Sequence, residues 1–317
     1  MKKFYNKHKT DEHIEPLAYD YHLPVLMDTS LDYLINDTNG IYVDGTLGGG
    51  GHAERILQKL DSGGNLLAFD KDPDAIAFAK RKLSDYHHKD SSPKVTFYNE
   101  CFSSACEKSA VWGKFSGILL DLGVSSKQLD SPSNGISYRF DAPLDMRFGT
   151  TGATAGEFIN SAGLAELKKV LHEFGEEPFA GLIARRITEY RRASSINTTS
   201  ELKNLIEEIT PPPYKTKTLS RVFQAFRIAV NEELDVLENT LKTIVPKMKK
   251  GGRIVVISYH SLEDRIVKNT FREFAKDDEN YPSRLKILTN KPIEASPKEQ
   301  QLNPRSRSAK LRAAEIL

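Results

Sequence analysis

Apolar and polar residues follow two different periods along the first 120 or so residues of the chain. Short apolar runs predict strands, and apolar residues spaced three or four positions apart predict the helices between them. The predicted strands lie at 41–43, 66–69, 95–98 and 117–121, and the predicted helices at 29–35, 52–60, 73–83 and near 103–110. This alternation is typical of an α/β fold with a parallel, doubly wound sheet.

The strand rhythm stops at about residue 130 and resumes after residue 218. Between them, helical periodicity predicts helices at 155–160, 163–174, 178–192 and 199–209, the last with a capping box formed by Thr198 and Glu201. Further on, the pattern predicts a helix at 219–245, a strand at 253–259, a helix at 262–275 and a strand at 285–289. The final alternating segment, 310–316, fits an edge strand.

These patterns divide the chain into an α/β core and an insertion. We expect a mobile polar tail at 1–20, a core formed by 21–130 and 219–317, and a helical insertion at 131–218. An insertion beside the carboxyl ends of parallel strands is well placed to recognise a substrate, because ligands of such sheets bind at that edge.

Composition excludes several classes of protein but does not identify a binding partner. The net charge of +2 does not indicate a nucleic-acid-binding protein, and no apolar run approaches the length that spans a membrane. The basic start of the chain has no apolar core, so it does not read as a signal peptide. Two cysteines, Cys101 and Cys106, make neither a disulfide framework nor a metal site. We therefore expect a cytoplasmic protein with free thiols and no metal.

A glycine-dense turn follows the first predicted strand. The segment Asp44–His52 contains four consecutive glycines at 48–51, and a helical pattern begins directly after them. Without side chains, the backbone N–H groups of such a turn can approach a ligand closely. Asp70 ends the next strand, where a carboxylate can accept hydrogen bonds from ribose hydroxyls. The turn and this acid together predict a pocket for a nucleoside cofactor.

The sequence leaves two cofactors open for this pocket. The spacing Gly48, Gly50, Ala53 satisfies a loose dinucleotide fingerprint, and an acid about 20 residues further on fits NAD. The carboxylate of Asp44, just before the turn, favours S-adenosylmethionine instead. It could orient the loop or meet the cationic amino group of the methionine portion, whereas a pyrophosphate would be repelled by it.

Further polar side chains are expected at the same edge of the sheet. Asp121 ends the fourth predicted strand, so that it would line one crevice with Asp44 and Asp70. His260 follows the fifth predicted strand, Ser258 lies at its end, and His52 closes the glycine turn; the spacing of the two histidines does not predict a metal site.

Basic residues are concentrated in two regions, although the chain as a whole is nearly neutral. In the loop 135–147, Arg139 and Arg147 could contact phosphate while Tyr138 and Phe140 stack on a base. One predicted helix carries arginines at 185, 186, 191 and 192, and residues 284–317 hold eight Lys or Arg against three acids. Basic regions on both sides of a cofactor crevice favour a polyanionic substrate.

Six separated motifs resemble one protein family in order along the chain. They are Asp44–His52, Leu120–Asp130, Ala142–Arg147, Phe223–Leu234, Ser258–Arg265 and Asn303–Arg312. They resemble the RsmH family, also called MraW, which comprises bacterial S-adenosylmethionine-dependent methyltransferases that modify the exocyclic N4 of a cytidine in 16S ribosomal RNA. The resemblance implies a class I, Rossmann-like methyltransferase core with an inserted helical domain. It also implies 16S ribosomal RNA as partner, in the small ribosomal subunit or a late precursor of it.

The resemblance also implies a set of site residues. Cofactor contacts are expected from Gly50, Gly51, His52, Asp70, Phe102, Asp121 and Gln128. The residues themselves, apart from the resemblance, predict substrate contacts from Arg139, Arg147 and Ser258 and a catalytic role for Asp121 or His260. The usual Asp/Asn-Pro-Pro-aromatic motif of amino-methyltransferases is absent after the fourth strand, so the group that accepts the amine proton stays open between Asp121, His260 and Ser258. Two rival functions also stay open, a nicotinamide-dependent oxidoreductase and a nonenzymatic RNA-binding or ribosome-assembly protein.

Overall fold

The computed structural model of the protein describes residues 24–86, 92–108, 114–124, 128–129, 134–277 and 282–317. The tail predicted at 1–20 and the predicted domain boundary at 130/131 lie outside the described residues. None of the described helices is both long and apolar enough to cross a membrane.

One eight-stranded sheet forms the core of the protein. Its strands are β1 Ile41–Asp44, β2 Asn65–Phe69, β3 Lys94–Tyr98, β4 Phe115–Asp121, β5 Arg253–Ser258, β6 Leu285–Ile287, β7 Ile293–Glu294 and β8 Lys310–Ile316. The order across the sheet is β3-β2-β1-β4-β5-β8-β6, and β7 also pairs with β8. Strands β1 to β5 are mutually parallel where they pair, whereas β8 is antiparallel to β5, β6 and β7. The predicted class I methyltransferase fold is confirmed by this sheet, whose sixth position is an antiparallel strand rather than the parallel strand of a dinucleotide-binding fold.

Helices cover both faces of the sheet. Several of the helices that lie between β4 and β5 in the sequence form a separate layer. The helices are α1 Met27–Leu34, α2 Gly51–Lys59, α3 Pro73–Lys82, α4 Ala155–Ser161, α5 Leu164–Glu173, α6 Ala180–Tyr190, α7 Thr199–Ile209, α8 Lys215–Asn231, α9 Glu233–Ile244, α10 Ser261–Phe274 and α11 Pro297–Leu302. Short 3₁₀ segments lie at Ser84–Tyr86, Phe102–Glu107, Pro212–Tyr214, Val245–Lys247 and Pro304–Ser308. The capping box predicted at Thr198 and Glu201 is present at the start of α7.

Adjacent residues of the central strands pack into opposite cores because strand side chains alternate between the two faces. On β1, Tyr42 packs with α1, α2 and α3 on one face. The next residue, Val43, packs with α9 and α10 on the other face. A third core lies within the helical region and runs from Ile136 to Phe226. The helical core therefore includes part of α8, beyond the boundary predicted at 218.

Two predictions of secondary structure differ from the observed elements. The helix predicted across 219–245 is two helices, because Glu232 has a left-handed backbone (φ 52°) that ends α8 and begins α9. The segment 310–316 is not an edge strand, since β8 lies between β5 and β6 and buries Leu311, Ala313 and Ala314. Leu311 and Ala313 pack in the core on one face of the sheet and Ala314 in the core on the other, which explains why the apolar residues of β8 are not restricted to alternate positions.

Candidate functional site

A cavity of about 570 Å³ opens at the carboxyl ends of β1, β2, β4 and β5. One side, which we call the strand-end wall, consists of the glycine turn at 45–51 with His52, Asp70, Phe102 and Asp121. The other side, which we call the helical wall, consists of Phe148, Gln224, Arg227, Asn231 and Glu233. The cavity is large enough for a nucleoside cofactor, since small-molecule sites typically measure about 300–1,000 Å³.

The glycine turn has a backbone that side chains would disturb. Gly50 has φ 72° and caps α2 at its N-terminus. A Cβ on Gly51 would overlap the ring of Pro24. Gly51 lines the cavity, whereas Gly50 does not. The turn therefore directs the N-terminal end of α2, with its partial positive charge, toward the cavity.

Asp70 lies at the cavity surface and is already bound by backbone N–H groups. Its Oδ2 accepts from Gly48 N–H at 2.8 Å and its Oδ1 from Asp72 N–H at 2.9 Å. Burial raises the pKa of Asp70 to about 6, although the two N–H donors oppose that shift. The carboxylate thus links the glycine turn to the end of β2 and keeps lone pairs for sugar hydroxyls.

Asp44 lies behind the turn rather than in the cavity. Its Oδ1 accepts from Thr46 N–H at 3.2 Å, whereas its buried Oδ2 has no hydrogen-bond partner. Burial raises the pKa of Asp44 to about 6, and the nearby His52 partly offsets that shift. Asp44 therefore orients the loop and adds negative charge to the site without a direct contact surface for a ligand.

Asp121 is the most highly connected acid of the site. Its Oδ1 accepts from the Tyr259 hydroxyl at 2.7 Å, and its backbone N–H donates to Thr46 Oγ1 at 2.7 Å. The Nδ1 of His52 lies 3.6 Å from Asp121 Oδ2. Burial raises the pKa of Asp121 to about 7, and the Tyr259 hydroxyl opposes that shift. Tyr259 is a site residue that sequence reasoning missed, although it lies beside His260 in a motif already singled out.

Phe102 and Gln128 also line the cavity, as the resemblance implies for cofactor contacts. Phe102 begins a 3₁₀ turn after β3, and Gln128 is buried in a short described segment. Of the seven expected cofactor contacts, six line the cavity, and Gly50 supports the turn from behind.

His260 and Ser258 have structural partners that limit their chemistry. The Nδ1 of His260 accepts from the backbone N–H of Glu263 at 3.4 Å and caps α10. Its Nε2 lies 3.2 Å from Glu263 Oε1, without the alignment of a hydrogen bond. Ser258 is buried, donates to the backbone oxygen of Lys310 at 3.3 Å and does not line the cavity. Thus His260 borders the cavity and Ser258 lies away from it.

The helical wall carries a buried ion pair that sequence reasoning missed. Arg227 donates from Nε to Glu233 Oε1 at 2.8 Å and from an Nη to Oε2 at 3.0 Å. The guanidinium lies 5.9 Å from the centre of the Phe148 ring, on the same wall. Asn231 accepts from Phe148 N–H at 2.8 Å and donates to the Met146 carbonyl at 2.8 Å. Arg227, Asn231 and Glu233 fall in the motif 223–234, but only the fold brings Phe148 beside them.

The structure does not bring Arg139 and Arg147 to the cavity. Arg147 forms two hydrogen bonds with the Asp145 carboxylate, at 2.7 and 2.8 Å, and donates to the carbonyls of Thr150 and Gly152. Its guanidinium is therefore occupied within its own loop. Arg139 is exposed on the loop beside Phe140, which is 41% exposed. Tyr138 packs edge-on against Phe223 and hydrogen-bonds Ser220.

The charge of the strand-end wall distinguishes between the two cofactors. Asp44, Asp70 and Asp121 surround the glycine turn, and burial raises the pKa of each because no cation neutralises it fully. A positively charged ligand would compensate these acids, whereas the pyrophosphate of a dinucleotide would be repelled. These three acids therefore fit S-adenosylmethionine, which carries a sulfonium and an ammonium. Among the described residues, no group of three or more His, Cys, Asp or Glu side chains is arranged to hold a metal ion.

Comparisons with known proteins cover nearly the whole chain. Residues 20–317 match the model of the MraW methylase family. The chain is 41% identical to ribosomal RNA small subunit methyltransferase H of Oleidesulfovibrio alaskensis, over 98% of each sequence. It is also 41% identical to the protein of the same name from Fusobacterium nucleatum, over 95% of this chain and 99% of that one.

Two solved structures align with this chain at low sequence identity and low TM-score. An rRNA methylase from Streptococcus thermophilus aligns with a TM-score of 0.40 at 11% identity, over 92% of this chain and 93% of that one. A SAM-dependent O-methyltransferase from Thermotoga maritima aligns with a TM-score of 0.40 at 10% identity, over 93% of this chain and 66% of that one.

Proposed function

Because this chain belongs to the MraW methylase family, we propose that it transfers a methyl group from S-adenosylmethionine to the exocyclic N4 of a cytidine in 16S ribosomal RNA. The relatives that are 41% identical over almost their full length carry the name of small-subunit ribosomal RNA methyltransferases. The single structural observation that carries the proposal is the cavity whose strand-end wall is acidic. The enzyme would act in the cytoplasm on the small ribosomal subunit or a late precursor of it.

The strand-end wall would hold the donor. Asp70 would accept hydrogen bonds from the ribose hydroxyls, and Phe102 would pack against the adenine. The glycine turn and the N-terminal end of α2 would bind the carboxylate of the methionine portion. When bound, S-adenosylmethionine supplies a methyl carbon made electrophilic by the adjacent sulfonium. Gly51, His52 and Gln128 complete the set of proposed contacts, and Gly50 shapes the turn.

Asp121 is our proposed acceptor for the N4 proton. The lone pair of a cytosine amine is delocalised into the ring, so an acceptor for its N–H would improve the nucleophile. Asp121 lines the cavity and has one oxygen, Oδ2, without a strong donor. His260 supports this role less well because both of its ring nitrogens face Glu263. Ser258 is buried away from the cavity.

The helical region is our proposed substrate-recognition domain. It contributes Phe148 to the wall that faces the donor side, and the following helix α8 contributes Gln224, Arg227 and Asn231. A cytidine in structured RNA would have to leave its stack to enter there. Phe148 and Gln224 offer a ring face and an amide to a base, and Asn231 fixes the backbone that carries Phe148. Exposed basic residues such as Arg139 would contact phosphates outside the cavity, whereas Arg147 would stabilise the loop.

The two rival functions are less well supported. A nicotinamide-dependent oxidoreductase would have to bind a pyrophosphate beside Asp44 and Asp121. A nonenzymatic assembly protein would have no use for a cavity of this size beside three acids whose pKa values are raised by desolvation, because such features cost stability.

Nucleoside mass spectrometry of ribosomal RNA would test the proposed function. A strain lacking the gene should lose N4-methylcytidine from its 16S ribosomal RNA, and the wild-type gene should restore it. The purified protein should bind S-adenosylmethionine and not NAD in calorimetry. Unchanged N4-methylcytidine in the deletion strain would refute the substrate, and binding of NAD alone would refute the cofactor.

A further inference from the structure

Tyr259 lies between the end of β5 and the start of α10, and its hydroxyl contacts the proposed proton acceptor. The hydroxyl donates to Asp121 Oδ1 at 2.7 Å, a distance typical of a strong hydrogen bond from a hydroxyl to a carboxylate. An ionised carboxylate can only accept, so the tyrosine supplies the proton of this bond. Both residues line the cavity.

The backbone of Tyr259 is held by a buried acid. Its N–H donates to Glu263 Oε2 at 2.8 Å, and Glu263 is only 2% exposed. Glu263 belongs to the first turn of α10, so this bond ties the segment after β5 to the helix that follows it. The position of the Tyr259 main chain is therefore set by the fold before any ligand binds.

The ring of Tyr259 lies against a residue that has no side chain. Gly123, two positions after Asp121, has φ 97°, and a Cβ on it would lie 3.2 Å from Cδ2 of the Tyr259 ring. A larger residue at position 123 would crowd the ring and strain the backbone. The ring also packs against the core that contains Tyr42. These contacts confine the ring and direct its hydroxyl to one oxygen of Asp121.

Asp121 is fixed from two directions. Its backbone N–H donates to Thr46 Oγ1 at 2.7 Å, and its Oδ1 accepts from Tyr259. A carboxylate whose main chain is fixed can still rotate about its side-chain bonds, and the bond from Tyr259 opposes that rotation. Oδ2 is then the oxygen that remains for a ligand, on a side chain that is 20% exposed.

We propose that Tyr259 is a positioning residue for methyl transfer, because its hydroxyl holds the Asp121 carboxylate in the orientation that presents Oδ2 to the amine of the substrate. The inference rests on the proposed function, in which Asp121 accepts the N4 proton. In that reaction the bond between N4 and the methyl carbon forms as the bond between carbon and sulfur breaks. The sulfonium becomes a neutral thioether, and the excess proton on N4 passes to Asp121. Tyr259 keeps its own proton throughout.

The variant Tyr259→Phe removes the hydroxyl and keeps the ring. With labelled donor and 16S ribosomal RNA, kcat should fall by about 10- to 100-fold, the loss that misplacement of a reacting group causes. KM for S-adenosylmethionine should change by less than about threefold, because the hydroxyl is already bound to Asp121. A rise in KM without a fall in kcat would overturn the inference, since Tyr259 would then act in donor binding.

Tyr42→Phe is the matched control. The Tyr42 hydroxyl is bound to the backbone of Asn36 and Asp37, and Tyr42 is buried in the core and does not line the cavity. Its loss should lower stability and leave kcat within about twofold of the wild-type value. Equal losses of kcat in Tyr42→Phe and Tyr259→Phe would show a general effect of losing a tyrosine hydroxyl and would overturn the inference.

The pH dependence of kcat gives a readout that packing alone would not change. The Tyr259 hydroxyl lowers the pKa of Asp121 because it stabilises the ionised carboxylate. In Tyr259→Phe the acid limb of the kcat profile should therefore move to higher pH, by about one unit. The loss of kcat that persists on the plateau above this limb reports the orientation of the carboxylate. An unmoved limb would contradict the inference.

Other ionisable groups also act on Asp121, and Tyr259→Phe leaves them in place. They are Glu263 of α10, Arg305 before β8, His52 of α2 and Asp44 of β1. Circular dichroism and calorimetric binding of S-adenosylmethionine check that Tyr259→Phe is folded. If it is not, Tyr259→3-fluorotyrosine keeps the ring and strengthens the donor, so the acid limb should move to lower pH; a limb that stays in place would again overturn the inference.

A double-mutant cycle tests whether Tyr259 acts through Asp121. In the Asp121→Asn background, Tyr259→Phe should lower the residual kcat by less than about twofold, because no carboxylate remains to be oriented. Losses that multiply in full would show that Tyr259 acts on its own and would overturn the inference. A wild-type protein that transfers no methyl group to 16S ribosomal RNA would refute the proposed function. An active wild type whose kcat survives Tyr259→Phe would refute this inference alone.

Discussion

The strand-end wall and the helical wall enclose the same cavity but differ in whether their charged side chains are paired. Asp70 and Asp121 on the strand-end wall, and Asp44 directly behind it, have no strong cationic partner, and the pKa of each is raised. On the helical wall, Arg227 and Glu233 form a complete bidentate pair. The first wall has charge left for a ligand, whereas the second has satisfied its charges internally.

This difference indicates what each wall is suited to bind. Uncompensated buried acids destabilise the empty protein, and a cationic ligand can remove that cost. A wall whose ions are already paired presents little net charge, so it suits an uncharged ring such as a nucleobase. The following variants test the contrast, from the largest expected effect to the smallest.

Replacing Asp121 should have the largest effect. Asp121→Ala removes the proposed proton acceptor, and the rate of methyl transfer should fall by about 10²–10⁴-fold, the range typical of general acid–base catalysis. The rate is measured with labelled donor and 16S ribosomal RNA, and circular dichroism checks that the variant is folded. Full turnover by Asp121→Ala would remove this residue from the mechanism.

Breaking the ion pair of the helical wall should change the free energy of unfolding more than the rate of methyl transfer. Arg227→Met leaves Glu233 buried without its partner and should lower the free energy of unfolding by about 3–5 kcal/mol. The double variant Arg227→Met with Glu233→Gln should recover most of that loss, because position 233 then carries no unpaired charge. Urea denaturation measures both variants. Equal losses in the single and double variants would show that the pair is not internally compensated.

Removing the acid behind the strand-end wall should have the opposite effect on stability. Asp44→Asn eliminates a buried carboxylate whose pKa is raised to about 6, and should stabilise the donor-free protein by about 1–3 kcal/mol at pH 8. It should also weaken binding of S-adenosylmethionine. Urea denaturation and calorimetry measure the two effects, and a destabilised donor-free variant would contradict the comparison between the walls.

The pH dependence of stability should follow from the same three acids. Their folded pKa values of about 6, 6 and 7 lie above the ordinary 3.8. The raised pKa values therefore stabilise the folded protein fully below pH 3.8, and this stabilisation is lost as the pH rises through 6–7. The donor-free protein should therefore be more stable at pH 6.5 than at pH 8.0, by about 1 kcal/mol. The lowered pKa of His52 opposes this trend below its ordinary 6.5, which is why lower pH is avoided. Urea denaturation at the two pH values checks the sign.

The two arginines of the loop should give the smallest effects and should differ from each other. Arg139→Gln removes an exposed charge. In a plot of the logarithm of the RNA-binding constant against the logarithm of the salt concentration, the magnitude of the slope should fall by about one. Arg147→Gln should leave that slope unchanged and lower the melting temperature, because Arg147 is bound to Asp145. Fluorescence anisotropy over a range of salt concentrations measures the slopes. An equal loss of slope in both variants would contradict the predicted difference between Arg139 and Arg147.

The strand-end wall could be predicted from sequence, because local patterns define it. Apolar runs that stop at Asp44, Asp70 and Asp121 place three carboxylates at the same edge of a parallel sheet. The capping box at Thr198 likewise depends on residues only three positions apart, and the structure confirms it. Roles of these residues toward cofactor and substrate remain predictions, to be tested by the variants above.

The helical wall could not be predicted, because it depends on contacts between distant residues. Asn231 holds the backbone of Phe148 across 83 positions. Glu232 ends a helix without a glycine or proline to signal it, and the break places Glu233 beside Arg227. The position of β8 inside the sheet likewise depends on pairing with β5 and β6 rather than on its own pattern.

The pairing of β4 with β5 has a kinetic consequence. Asp121 lies opposite Ile257, so 135 residues separate neighbours in the sheet. Closing a loop of that length is slow and entropically unfavourable in an unfolded chain. The helical core, whose members all lie within 136–226, can collapse first and bring the two strands closer together. We therefore expect pulse-labelling hydrogen exchange to protect the amides of α5–α8 before those of β5.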